Sequence, residues 1–220
     1  GHQFLETAAA AVVSDDGAVG GLIVSKTEAL NSLTLTKDVP IVIVPDTLEA
    51  YLALGRHHRY RYPNTTVIGI TGSSGKTTTK EILTAILRGR FSEVHRTQGS
   101  QNGFVGIPLT LLEMNTTHGA SVVEVGIDEP GAMIQHVTTV EPTVSVLTVV
   151  APEHMEKLID LPTVAREEGL ALTSVASHGG AVAINCDDPH IAPHYRSIAT
   201  GRKLGYSLEH STDSALLQGK

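Results

Sequence analysis

The stretch VIGITGSSGKTTTKEIL, residues 67–83, restricts the fold more than any other part of the chain. Residues 67–70 form an apolar run short enough for a buried strand. Residues 77–88, TTTKEILTAILR, carry a helical pattern in which Ile82, Leu83, Ile86 and Leu87 are expected to share one face. Between them lies Gly72-Ser73-Ser74-Gly75-Lys76-Thr77, followed by Thr78. A glycine-rich turn at a strand-to-helix junction lets backbone N–H groups point inward, and the helix amino terminus adds partial positive charge, so the element suits an anion. Lys76 is placed to reach the outer phosphates of a nucleotide, and the Thr77 hydroxyl to hold magnesium. The general phosphate-loop pattern wants a glycine five positions before the second one, but Ile70 stands there and Gly69 comes one residue early. A plain Gly/Ser turn capping a helix is the competing reading. Strand, loop, Lys, Thr and helix in the required order favour a nucleotide triphosphate.

The rest of the chain repeats the strand-then-helix rhythm. Apolar runs at 67–70, 121–125, 144–150 and 181–184 are separated by segments long enough for helices, which predicts an α/β fold with a mostly parallel, doubly wound sheet. Upstream, VPIVIVP (39–45) reads as a buried strand, and DTLEAYLALGRHHRYRY (46–62) as a helix capped by Asp46 or Thr47. Pro63 and Asn64 break the chain, so a first region over 1–63 and a larger one over 64–220 are expected. The basic aromatic cluster RHHRYRY (56–62) is read as a solvated helix end, and the alanine run 8–11 as helix packing. Both termini look cut, which makes a fragment the expectation.

Composition narrows the partners. With 41% hydrophobic residues among 220, the chain has enough apolar material for a real core. A net charge of -7 argues against a nucleic-acid or anionic-membrane partner, so phosphate binding has to be local. Cys186 is the one cysteine, which excludes an intrachain disulfide framework and suits a reducing compartment. No apolar run approaches the roughly 20 residues of a membrane span, and no basic-then-apolar signal opens the chain. A cytoplasmic address is therefore expected.

The compact form T-G-x-x-G-K-T-T resembles that of the Mur ligases, ATP-dependent amide-forming enzymes of peptidoglycan precursor synthesis. The likeness is strongest to the branch that adds D-alanyl-D-alanine to a UDP-N-acetylmuramoyl-tripeptide. GHQF (1–4) and VPDTLEAYLALGRHHR (44–59) are similar to the later part of that branch's substrate-binding first domain. QNGFVGIPLTLL (101–112), VVEVGIDEPGAM (122–133), EHMEKLIDLPTVAREEG (153–169) and AINCDDPHI (183–191) extend the likeness over nearly the whole chain. The resemblance implies a partial amino-terminal α/β substrate-binding domain over 1–63 and a central ATPase domain over 64–220, with the family's closing carboxy-terminal domain absent. It also implies ATP and Mg2+ as cofactors, and UDP-N-acetylmuramoyl peptide and D-alanyl-D-alanine as partners. A chain without the closing domain is expected to complete no ligase cycle, because closure keeps water from an acyl phosphate.

Roles for individual residues follow from the same likeness. Gly72, Ser73, Ser74, Gly75, Lys76, Thr77 and Thr78 would bind nucleotide, and Asn185 and Asp187 would lie near its base; a simple Asx turn before Pro189 is the alternative for the latter pair. Thr77, Glu124 and His154 would hold metal. Lys76, Glu168 and His154 would serve catalysis, and Asn102 would lie near the substrate. Glu124 ends an apolar run, where a doubly wound sheet presents ligand-binding groups. Glu168 stands where many members carry a carbamate-bearing lysine; a glutamate supplies the carboxylate on a shorter arm. Val149 replaces the family's asparagine, and Phe104 an acidic residue.

Three functions fit these residues. One is a carboxylate–amine ligase of the Mur type, one is another phosphate-loop enzyme such as a kinase or nucleotide switch, and the third is a non-catalytic relative that binds nucleotide or a partner.

Overall fold

The computed structural model describes residues 21–26, 40–152, 155–158, 160–198 and 201–207. The chain divides into two compact units, 1–51 and 52–220. In the first, β1 (Leu22–Val24) pairs in parallel with β2 (Ile41–Ile43), Leu22 opposite Ile41. The strand expected at 39–45 is thus present but shorter, and it is not buried: Ile41, Val42 and Ile43 are 38%, 54% and 61% exposed. Among the described residues its only ladder is to β1. The helix α1 (Thr47–Tyr60) starts where expected. Asp46 caps it, its Oδ1 accepting from Leu48 N at 2.7 Å and Glu49 N at 2.9 Å.

The second unit is built on six parallel strands: β3 (Thr66–Thr71), β4 (Glu93–Arg96), β5 (His118–Glu124), β6 (Val144–Leu147), β7 (Ala181–Asn185) and β8 (Arg202–Tyr206). Their order across the sheet is β4-β5-β3-β6-β7-β8, every neighbouring pair parallel. The chain moves from β3 outward to β4, returns to β5, and crosses β3 to reach β6. All strands therefore end at one edge, and the order reverses around β3, where a doubly wound sheet opens a crevice for ligands. The edge strands β4 and β8 lie outside the expected apolar runs because both carry charged residues, Glu93, Arg96, Arg202 and Lys203, as edges commonly do.

Helices cover the two faces unequally. Helices α3 (Gly106–Leu112), α4 (Ala132–Val140) and α6 (Leu161–Ser177) bury Ile107, Leu111, Met133, Val137, Val164 and Leu172 against Val67, Val123, Leu147 and Ile184 of the sheet. Asp160 caps α6 by accepting from Thr163 N at 2.8 Å, and these bonds hold its carboxyl below the ordinary value. The short helices α5 (Met155–Leu158) and α7 (Ala192–Ser197) flank α6 in sequence. On the other face, α2 (Lys76–Leu87) sets Leu83 and Leu87 over Ile68, Ile70 and Val122. The four-residue apolar face expected for this helix is split: Ile82 and Ile86 are 58% and 67% exposed, while Lys80 and Thr84 are buried. The helix turns toward the crevice the flank that carries Lys76 and Lys80, and this rotation carries Ile82 and Ile86 out.

The cluster at 56–62 is not simply solvated. Arg59 is buried, and its guanidinium donates to Tyr62 O at 2.8 Å and to Glu141 O at 3.4 Å. Within the second unit, Arg56 and the Tyr60 hydroxyl both reach Glu141 Oε1, at 3.1 and 2.5 Å, and Glu141 follows α4 with φ of 43°. No helix among the described residues is long and apolar enough to cross a membrane. The alanine run 8–11 and the GHQF stretch lie outside the described residues.

Candidate functional site

The phosphate loop leaves β3 through Gly72, whose φ is 119°; a Cβ at this position would collide with the Thr148 hydroxyl. Gly75, φ 83°, then turns the chain into α2, whose amino terminus has no side-chain cap. Its first amides are thus not claimed by a capping side chain. The segment after β6 braces the loop from beneath. Ser73 N donates to Val149 O at 2.8 Å, and Ser73 Oγ donates to Ala151 O and accepts from Ala151 N, both at 2.9 Å. Thr148 Oγ1 donates to Ser74 O at 2.6 Å and lies 3.1 Å from Thr71 O. Val149 contributes through its carbonyl.

Two buried carboxylates flank the loop. Glu168, on α6, accepts through Oε2 from the Thr71 hydroxyl and from Gly72 N, the latter at 2.9 Å. Glu124 ends β5 and is fully buried, and neither of its oxygens accepts a hydrogen bond. The Lys80 ammonium forms an ion pair with its Oε1 at 3.0 Å. Lys76 Nζ folds onto Gly72 O.

Loop residues 73–78 together with Ser100, Asn102 and Glu124 line one cleft of about 310 Å3. Asn102 is held there by its backbone, its carbonyl accepting from Gly126 N at 2.8 Å, and the absence of a side chain at Gly126 makes room for its amide. Phe104 turns away from the polar cleft and stacks edge-on against His136, ring centroids 4.5 Å apart. His136 is buried, which pushes its pKa down, and its Nδ1 is 2.8 Å from Gly126 O, so the neutral ring donates there. Glu167 accepts from Gly131 N at 3.0 Å, just ahead of α4.

The structure thus gathers the expected Ser73, Ser74, Gly75, Lys76, Thr77, Thr78, Glu124 and Asn102 around one cleft, with Gly72 and Glu168 bonded to each other directly behind it. It does not bring Asn185 and Asp187 into that lining. Asn185 Oδ1 accepts from Asp187 N at 3.0 Å, an Asx turn, and Asp187 accepts from Ser207 Oγ. His154 lies outside the described residues. Sequence reasoning missed four contributors: Lys80, Thr71, Thr148 and Asp188. Asp188 is buried and ties the two segments together, accepting from Val150 N at 2.7 Å and from His190 N at 2.8 Å. The one available signal for Lys80 was its place a helical turn after Lys76.

The donors present fit magnesium. It prefers oxygen ligands and commonly takes one or two carboxylates plus phosphate oxygens and water. Glu124, a buried carboxylate with no hydrogen bond to lose, shares the cleft with the Thr77 hydroxyl. No cluster of three His, Cys, Asp or Glu suited to a metal occurs among the described residues, and magnesium shared with phosphates does not need one.

Comparison with known proteins identifies the family. Residues 70–218 match the Mur ligase middle domain. The chain is 31% identical over 214 residues to a UDP-N-acetylmuramoyl-tripeptide–D-alanyl-D-alanine ligase of Synechocystis sp., covering 95% of this chain and 43% of the relative. It is 30% identical to the ligase of the same description from Escherichia coli K12, covering 92% and 41%. The chain therefore spans less than half the length of these relatives. Among solved structures, MurF ligase from Thermotoga maritima in complex with ADP superposes with a TM-score of 0.77 at 24% identity, covering 95% of this chain and 45% of that one, a likeness of fold. The Acinetobacter baumannii UDP-N-acetylmuramoylalanyl-D-glutamyl-2,6-diaminopimelate–D-alanyl-D-alanyl ligase gives 0.68 at 26%, covering 84% and 38%. With the parallel sheet, the loop after β3 and the carboxylate ending β5 in place, this chain belongs to the Mur ligase family, and residues 70–218 are its middle domain.

Proposed function

We propose that the protein from which this chain comes is a cytoplasmic, ATP- and Mg2+-dependent ligase joining D-alanyl-D-alanine to a UDP-N-acetylmuramoyl peptide, with residues 1–63 contributing to the domain that holds the UDP-linked substrate. The observation that carries this reading is that loop residues 73–78, Glu124 and Asn102 line one cleft together at the carboxyl edge of the sheet. The specific acceptor and donor rest on the named relatives at about 30% identity.

In this reading the chain's share of the chemistry is positioning and charge neutralisation. A carboxylate is a poor electrophile until the γ-phosphoryl group of ATP is transferred to it. The incoming amine then attacks the acyl phosphate, and the tetrahedral intermediate collapses with release of phosphate. The uncapped amides at the start of α2 and the Lys76 ammonium bind the phosphate chain and offset charge as it moves. To do so, Lys76 leaves Gly72 O. Thr77 and Glu124 would hold magnesium, which supplies Lewis-acid polarisation of the transferred phosphoryl group when bound. Glu168 stands behind the loop as the carboxylate in the place of the carbamate, and His154 would be a further metal ligand. Asn102, which lines the same cleft, orients the substrate. Asn185 and Asp187 border the base from the end of β7.

The test uses the full-length protein. Phosphate release from ATP should require both a UDP-linked muramoyl peptide and the dipeptide, and Lys76→Ala should abolish nucleotide binding by calorimetry. Phosphate transfer to an acceptor without any amine would instead favour a kinase. Unchanged behaviour of Lys76→Ala would leave a non-catalytic relative.

A further inference from the structure

Lys80 is a lysine with no exposed surface, an uncommon state that demands a compensating environment. Its ammonium is held by the segment that follows β4 and by the carboxylate that ends β5. It donates to Thr97 O at 2.9 Å and to Gly99 O at 2.8 Å, and it sits 3.0 Å from Glu124 Oε1, with Glu81 Oε1 a further 3.3 Å contact on its solvent side. Thr97 closes the circuit, because its hydroxyl accepts from Glu124 N at 3.0 Å and its own N–H donates to Val122 O at 3.0 Å. The segment leaving Gly99 supplies Ser100 and Asn102 to the cleft wall. One buried cation, borne on the helix that starts at the phosphate loop, thus fixes the carboxylate suited to magnesium and the segment carrying Asn102.

We propose that Lys80 is a positioning residue that acts through Glu124: it sets where the carboxylate stands relative to Thr77 and so determines how well magnesium is held with the nucleotide. The inference rests on the reading of Glu124 as a metal ligand. A carboxylate that accepts no hydrogen bond has nothing else to fix its direction, and the ion pair at Oε1 fixes its position while leaving Oε2 without a donor against it. Neutral hydrogen bonding to the carboxylate would hold it as well but would occupy the oxygens' lone pairs. Lys76 cannot perform this role, since it lies at the loop's mouth and must follow the phosphates.

A double-mutant cycle in the full-length protein separates this role from general scaffolding. Wild type, Lys80→Met, Glu124→Gln and the double variant are titrated with ADP by calorimetry, with and without Mg2+, after circular dichroism has verified folding. Lys80→Met should weaken the Mg2+-dependent part of ADP binding at least tenfold while changing metal-free ADP binding less than threefold. In the Glu124→Gln background the same substitution should cost less than twofold more. Equal losses in both backgrounds, equal loss of metal-free binding, or tighter Mg2+ binding would each overturn the proposal, the last because the ammonium would then merely compete with the cation. If Lys80→Met fails to fold, Lys80→Gln, which keeps donors for the carbonyls without the charge, runs through the same cycle with the same expectations. A wild-type protein that binds ADP with no response to Mg2+ would instead sink the metal-ligand reading itself, a result distinct from an additive cycle.

Discussion

Glu124 and Glu168 are both fully buried at the carboxyl edge of one sheet, and the protein treats them in opposite ways. Glu124 receives a cation and no hydrogen bond, whereas Glu168 receives a hydroxyl and a backbone N–H from the start of the phosphate loop. A buried carboxylate needs compensation in either case, but the kind of compensation decides what is left for a ligand. An ion pair at one oxygen satisfies the charge and leaves the other without a donor against it. Hydrogen bonds from the loop convert the carboxylate into part of the loop's own scaffold. In the proposed reading the two residues divide the work, with Glu124 left to a metal and Glu168 bound to residues 71–72.

The sharpest way to break this contrast is to neutralise each carboxylate without shortening it. In the full-length protein, Glu124→Gln should lower Mg2+-dependent product formation by on the order of 10²–10³. Glu168→Gln keeps an acceptor for Thr71 and Gly72 and should lower it by roughly tenfold or less. If steady-state rates against Mg2+ concentration show equal losses, Glu168 must leave the loop when metal binds, and the division of labour is wrong.

A third buried titratable group shows what happens when the nearest opposite charge sits on a solvent-exposed side chain beyond hydrogen-bond reach. His95 hydrogen-bonds Ser121 at 2.8 Å, with the His118 ring 4.9 Å away and Glu113 no nearer than 3.9 Å. Burial, reinforced by His118, lowers its pKa to about 4, so it is neutral where Glu124 keeps a partner ion. Above pH 6.5 both folded and unfolded chains hold His95 neutral, and its contribution is complete. As the pH falls from 6.5 toward 4, only the unfolded chain takes up the proton, and about 3 kcal/mol of stability is lost. Urea midpoints of wild type and His95→Gln between pH 7 and 4.5 check this: the wild-type curve should fall more steeply. Parallel curves would show that the site is wetter than its burial implies.

How much of this was legible in the sequence follows from where each interaction gets its partners. The phosphate loop, its strand and its helix are contiguous, so local pattern was enough, and Asp46 capped α1 for the same reason. Glu124 was readable as the last residue of an apolar run, because strand ends in a doubly wound sheet face the crevice. Lys80 was not, since a lysine in a helix pattern reads as solvent-facing and its partners Thr97, Gly99 and Glu124 come from other elements. The same blindness misassigned Ile82 and Ile86: apolar periodicity assumes that the buried flank is the apolar one, and here a charged side chain is buried instead. The polar edge strands β4 and β8 gave no alternation to detect.

Removing the Glu168 side chain altogether should destabilise the 220-residue chain by about 2 kcal/mol, since Glu168→Ala leaves the Thr71 hydroxyl and Gly72 N–H buried without their acceptor. The denaturant midpoint would report it. A shift below a few tenths of a kcal/mol would mean that the loop finds other acceptors, and the scaffold role assigned to this carboxylate would fail.

The smallest expected effect falls on Thr148, which supports the same loop from the side of β6. Thr148→Val keeps the shape and the methyl contact but removes the hydroxyl that donates to Ser74 O at 2.6 Å. Because Ser74 lies at the cleft and can turn its carbonyl to water, the loss should be about 1 kcal/mol, at the middle of the range for a single neutral hydrogen bond. The effect on nucleotide binding should be weaker than that of Glu168→Ala, since Ser73 remains tied to Val149 and Ala151 through three further bonds. A Thr148→Val chain that loses more nucleotide affinity than Glu168→Ala would place the main support of the loop at β6 rather than at α6, and would reduce the contrast between the two carboxylates to a difference in their neighbours alone.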